Sequence, residues 1–386
     1  MSEPGEAADL AVYVHWPYCA RICPYCDFNV VRDRGQAEQA DLARAIVCDL
    51  ERQAALIGAR RLSSIFFGGG TPSLMDPAWT AAIIETARRL WPVAPDLEIS
   101  LEANPTDAES DRFAGFAAAG VGRLSLGLQS LDEAALSFLG RNHDAREARR
   151  AAALAARLFA RLSVDLIYAR PGQTPTAWAE ELNAAIDLGA EHVSPYQLTI
   201  EPGTAFDRAV GRHAFTPPDQ DQAAALFETT QAVLEAAGFD AYEVSNHARG
   251  VSARSRHNLA YWTGQDYVGV GPGAHGRLTL GDQRHATVAA AKPAAYIAAV
   301  AETGRGFAAD EVLSPRDAAV ERLLLGLRID AGVGWGELAA LDLSPDSPSV
   351  RDLAAQGLAA PDTARLSLTR AGRAVLDSVV RFLTRG

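Results

Sequence analysis

Along the first half of the chain, short apolar and β-branched runs alternate with longer Ala/Leu/Arg stretches whose apolar positions return every three to four residues. The short runs, at 11–15, 64–67, 97–101, 123–127, 163–167 and 192–198, read as strands. The longer ones, near 36–57, 77–90, 107–119, 144–160 and 176–188, read as helices. Regular strand–helix alternation predicts βαβ units and hence an α/β class built on a parallel sheet. Period alone does not separate an open doubly wound sheet from a closed or partial barrel. A further helix near 219–237 precedes a Gly/Asn/His-rich stretch at 242–276, and another helix is expected around 290–301. Composition shifts over 300–310. Beyond it, helices at 315–328, 335–341, 348–357 and 371–384 surround a strand near 365–368, a winged-helix-like pattern. The expected organisation is a larger unit over 1–300 and a smaller one over 301–386.

Composition narrows the class. With 48% hydrophobic residues in 386, the chain buries a full core, and disorder is excluded. A net charge of −12 gives no general attraction for nucleic acid or anionic lipid. No apolar run reaches membrane-spanning length, and the first ten residues carry acids rather than a basic, apolar leader, so a cytoplasmic protein is expected. Four cysteines in a chain of this size do not make a disulfide scaffold.

Three of those cysteines fall within eight positions. Cys19, Cys23 and Cys26 form C-x3-C-x2-C directly after the first predicted strand. Three free thiolates on one loop invite oxidation, so a metal explains them better. Zinc calls for a fourth ligand, and His15 is the nearby candidate. A four-iron cluster held by three cysteines keeps one iron open for an exogenous ligand. Cys48, on a predicted helix, reads as a small core residue.

Other polar residues follow successive strands. Gly68-Gly69-Gly70-Thr71-Pro72 ends the second; glycines there admit a ligand close to the backbone, although a tight turn is the plainer explanation. Glu102 ends the third strand, Gln129 follows the fourth, Arg141 comes a dozen positions later, and Asp165 interrupts the fifth. Each alone reads as a surface group, a cap or a buried acid paired with arginine. Together they lie at the C-terminal ends of parallel strands, where such folds build their sites, and they point to one shared pocket.

The cysteine motif and its strand-end setting resemble the radical S-adenosylmethionine (SAM) superfamily. Tyr13-Val14-His15, Asp27-Phe28-Asn29, Phe66 to Pro72, Leu101-Glu102-Ala103-Asn104-Pro105, Ser125 to Ser130 and Asp165-Leu166-Ile167-Tyr168 narrow that likeness to the oxygen-independent coproporphyrinogen oxidase family. The likeness covers about residues 11–280. It implies a partial parallel (β/α)6 radical SAM barrel with a smaller, mainly helical C-terminal domain. True oxidases of that family carry a fourth cysteine two positions after the third; here Phe28 stands there. His257-Asn258-Leu259-Ala260-Tyr261-Trp262 also resembles the H-N-x-x-Y-W motif of the heme-chaperone branch. Read without the family, His257 is a core histidine and Tyr261 and Trp262 are core aromatics.

The resemblance implies a [4Fe-4S] cluster on Cys19, Cys23 and Cys26. It implies SAM contacts from Tyr13, Tyr25, Gly69, Gly70, Thr71, Glu102, Gln129, Arg141 and Asp165, and heme contacts from His257, Tyr261 and Trp262. The function implied is heme binding and transfer to an acceptor protein. The alternative is radical oxidative decarboxylation of coproporphyrinogen III. Two positions depart from the family pattern: Ala169-Arg170 stand where Gly-Leu is common, and His247 stands where an aromatic is common.

Overall fold

The computed structural model describes residues 7–33 and 35–385. Its centre is a 12-stranded mixed sheet. Six parallel strands match the sequence expectation: β1 (Asp9–Trp16), β2 (Arg61–Gly69), β3 (Val93–Ala103), β4 (Arg123–Gln129), β5 (Arg161–Tyr168) and β6 (His192–Gln197). They pair in sequence order, each to the next. Their near-continuous buried runs suit strands covered on both faces. Helices α1 (Gln36–Ile57), α2 (Pro77–Leu90), α3 (Ala145–Leu158) and α4 (Pro175–Ile186) are among those crossing between them. Several helix starts are written locally. Asp76 caps α2, Asp144 and Glu147 form a reciprocal capping box on α3, and Thr174 caps α4 ahead of Pro175.

The sheet continues through segments in which the sequence reading places no strand. After β6 come α5 (Gln220–Ala236) and the two-residue strands β7 (Asp240–Ala241) and β8 (His247–Ala248), which extend the β6 edge antiparallel. A short helix, α6 (Arg256–Trp262), precedes β9 (Asp266–Val270), which pairs parallel with β1 on its other side. The hairpin β10 (His275–Leu280) and β11 (Gln283–Ala289), then α7 (Pro293–Thr303) and the edge strand β12 (Phe307–Val312), complete the order β12-β11-β10-β9-β1-β2-β3-β4-β5-β6-β8-β7. The Gly-rich 269–276 segment is the end of one strand, a four-residue turn and the start of the next. Gly271 has φ 98°, and a Cβ there would lie 2.2 Å from the His15 carbonyl oxygen, so only glycine lets these backbones meet. Strand β12, which the sequence reading assigned to the tail, belongs to the main sheet.

The remaining tail starts with α8 (Pro315–Gly326) and has its own core around Leu323, Leu338, Val350, Leu366 and Val379, with a two-residue β-pair, Val333–Gly334 on Arg365–Leu366. It is mainly helical, as expected.

Candidate functional site: a three-cysteine cavity at the barrel mouth

The loop that follows β1 is closed at its base. Tyr18–Cys19 pairs with Val31–Arg32, and the Asp33 amide donates to the Cys19 carbonyl at 2.9 Å. Asn29 fastens the far side by donating to the carbonyls of Pro272 (2.8 Å) and Ala291 (2.9 Å). His15 sits beneath this loop, with Nδ1 3.0 Å from the Tyr13 hydroxyl and Nε2 2.8 Å from the Asn29 carbonyl oxygen. Both ring nitrogens therefore serve the fold, and His15 does not join the three thiols.

The ends of β2 to β5 meet that loop around a cavity of about 370 Å³. It is lined by Cys19, Cys23, Cys26, Tyr25, Gly69, Gly70, Thr71, Glu102, Gln129, Arg141 and Asp165, eleven of the twelve cluster and cofactor positions expected there. Tyr13 is the exception. It lies deeper, along a second cavity that shares Glu102, Ser125, Asp165 and Tyr196 with the first.

Two of the thiols have a fixed side-chain neighbour. Thr71 donates to Cys19 Sγ at 3.6 Å, and Arg141 Nη1 donates to Cys23 Sγ at 3.2 Å. Arg141 also reaches the Tyr25 hydroxyl, the Gly127 carbonyl and Asn104 Oδ1, while its buried Nε has no partner. Burial pushes the Cys19 thiol up to about 11 and raises that of Cys26. A metal or a nearby cation offsets that penalty by stabilising thiolate. Gly70 is required by proximity. A Cβ there would stand 2.6 Å from the Pro17 carbonyl oxygen and 2.8 Å from that of Tyr18.

The two carboxylates carry the largest electrostatic load. Burial, reinforced by the charge of Asp165, raises Glu102 to about 8. Burial likewise raises Asp165 to about 6, against hydrogen bonds from Ser194 and Ser125. Glu102 accepts from the Gly69 amide at 3.1 Å. Gln129 holds φ 62°, left-handed backbone that costs a non-glycine residue roughly 1–2 kcal/mol. Such strain at a cavity wall is typical of positions fixed for a ligand.

The site fits the cofactors implied for it. Its soft donors are three thiols with no fourth cysteine among the lining residues, since Phe28 is 62% exposed at the mouth. Among the described residues, no three of His, Cys, Asp and Glu are drawn together closely enough to hold a single metal ion. The unpartnered Arg141 Nε and the uncompensated acids are groups that a polar, cationic ligand satisfies.

His257, Tyr261 and Trp262 are placed elsewhere. They lie on α6, which packs against β1, β2 and β9. His257 is 1% exposed and stacks on Phe66, with ring centroids 4.8 Å apart. Its Nδ1 is 3.2 Å from Ser64 Oγ and its Nε2 is 2.8 Å from the Tyr261 hydroxyl. Burial alone lowers it to about 3, so the ring is neutral. Trp262 faces the tail, with the Arg328 guanidinium 4.5 Å above its ring. A buried ion pair that sequence reasoning missed anchors the start of α6. Arg123 and Glu98 pair at 2.8 Å; Glu98 accepts the Arg256 amide, and Arg123 donates to the Ala253 carbonyl. Glu98 is a polar interruption inside a strand and Arg123 opens the next one, the one signal that marks them in sequence.

Comparison with known proteins agrees with this geometry. Residues 13–185 match the Radical SAM superfamily and residues 313–375 match the HemN C-terminal domain. The structure of coproporphyrinogen III oxidase (HemN) from Escherichia coli, a radical SAM enzyme, superposes with TM-score 0.81 at 22% identity, covering 98% of this chain and 91% of that one. Fold and matched segments thus define a radical SAM protein. The chain is 42% identical to radical S-adenosyl methionine domain-containing protein 1, mitochondrial, of Bos taurus, over 97% of this chain and 87% of the relative. It is 37% identical to the heme chaperone HemW of Mycobacterium tuberculosis, over 98% and 95%. The chain belongs to the HemW-type family of the radical SAM superfamily. No described helix is long and apolar enough to cross a membrane.

Proposed function

We propose that this protein is a heme chaperone that carries a [4Fe-4S] cluster on Cys19, Cys23 and Cys26, binds SAM beside it, and passes heme to an acceptor protein. The observation that carries the reading is the donor set of the mouth cavity, three thiols and an exposed Phe28 where the oxidases of the family have a fourth cysteine. When bound, the cluster supplies a redox centre whose uncapped iron takes the amine and carboxylate of SAM.

The chain's own residues do the rest. Thr71 and Arg141 orient two of the sulfurs, and Tyr25 covers the loop against Phe206. Glu102 and Asp165, ionised by a cationic partner, accept from its hydroxyl groups and amine hydrogens. Gln129 and Arg141 offer donors to its sugar and carboxylate. The heme contacts of His257, Tyr261 and Trp262 belong to the same proposal. Since His257 and Tyr261 bind each other inside the barrel, heme reaches them only when the α6 region opens.

Anaerobic reconstitution followed by sequential SAM and heme titration tests this. The expected result is about four irons per chain, SAM binding that depends on the cluster, and a Soret shift weakened by His257→Ala. A colourless, iron-free product overturns the cluster. Formation of protoporphyrinogen from coproporphyrinogen III overturns the chaperone reading in favour of the oxidase.

A further inference from the structure

The turn after β5 contains one of the two departures from the family pattern, Ala169-Arg170. Ala169 holds φ 60°, so like Gln129 it is a non-glycine residue in left-handed backbone, and the two end neighbouring parallel strands. Arg170 is 7% exposed and points away from the cavity. Its guanidinium pairs with Glu181 of α4 and donates to Ser130 Oγ. Glu181 Oε1 accepts in turn from Ser130 Oγ and, at 2.9 Å, from the Leu131 amide. One buried ion pair therefore grips the two residues that follow Gln129. On the other side, Gly127 makes room for the Gln129 side chain, since a Cβ there would lie 2.8 Å from Gln129 Nε2. Gln129 is held between a missing side chain and a buried clamp.

We infer that Arg170 and Glu181 are positioning residues for SAM, acting through Ser130 to keep Gln129 in its left-handed conformation with its amide on the cofactor wall. The inference rests on the reading of Gln129 as a SAM contact. A buried pair of this kind need not add stability over an apolar substitute, but it specifies one backbone geometry where a strained residue has alternatives.

A double-mutant cycle on the cluster-loaded protein tests it, with SAM affinity read by calorimetry and the reduced cluster's electron paramagnetic resonance recorded with and without SAM. Gln129→Ala and Arg170→Met are each expected to weaken SAM about tenfold. The double variant is expected to be no weaker than Gln129→Ala, with the SAM-free spectrum unchanged in all. Glu181→Gln, which keeps the side-chain shape, supplies the same cycle should Arg170→Met fail to fold. Full additivity, or unchanged affinity in both clamp variants, overturns the inference while leaving Gln129 a contact. Unchanged affinity in Gln129→Ala itself overturns the contact, and the inference with it.

Discussion

At the mouth of the barrel, Gln129 sits in left-handed backbone, Glu102 and Asp165 resist ionisation, and Arg141 keeps a buried nitrogen without a partner. At the floor, His257 is equally buried, yet both ring nitrogens are bonded and its faces are stacked on aromatic rings. At these two places the same chain thus holds carboxylates and a guanidinium nitrogen out of their preferred state in one, and bonds both nitrogens of a buried histidine in the other. Groups held away from their preferred state await something that satisfies them, whereas a satisfied buried group holds the fold. On this contrast, substitutions at the mouth reduce SAM binding with little loss of stability, and substitutions at the floor lower stability while leaving SAM binding in place.

The largest expected effect is on the thiols. Cys23→Ser abolishes retention of iron and sulfide after reconstitution, and urea unfolding of the apo protein moves by no more than about 1 kcal/mol. His257→Ala is the converse: it strips partners from Ser64 and Tyr261 and leaves a cavity, lowering stability by about 2–4 kcal/mol in the same assay. A stable His257→Ala would break the contrast at its floor.

The pH dependence of SAM binding follows from the carboxylates. Their raised pKa values mean that the empty fold favours the protonated forms, so a cationic ligand binds more tightly as pH rises from about 6 to 8, then levels off. For the ligand-free protein the sign is opposite: stability falls over the same rise, because ionised Glu102 is less welcome folded than unfolded. Glu102→Gln is expected to flatten the binding profile, weaken SAM about tenfold at pH 8 and raise the melting temperature of the empty protein there. The smallest effect is expected at Phe28. Phe28→Ala shifts stability by less than about 0.5 kcal/mol, because the ring is already in water.

The six parallel strands and the helices between them were legible because short apolar runs alternate with stretches of helical period, and α2, α3 and α4 each carry a side-chain cap at the start. The mouth was legible for a related reason: a polar residue at the end of an apolar strand run stands out. β9 to β12 were not. Glycines in and between β9 and β10 serve backbone contacts such as Gly271 against His15, which local sequence does not show. The 107–119 helix forms as two shorter pieces, Asp107–Ser110 and Phe113–Ala118. The clamp on Ser130 was illegible as such, since Arg170 and Glu181 meet it only through tertiary packing.

The tail touches the sheet unit where α6 ends. Arg322 donates to the Trp262 carbonyl, Arg328 lies over the Trp262 ring and reaches Glu243, and Arg277 pairs with Glu321. A protein seated on the small domain would therefore pull on the same short helix that bears His257. The small domain is in this way coupled to the helix that carries the buried histidine through Arg322 and Arg328, neither of which lines the three-cysteine cavity.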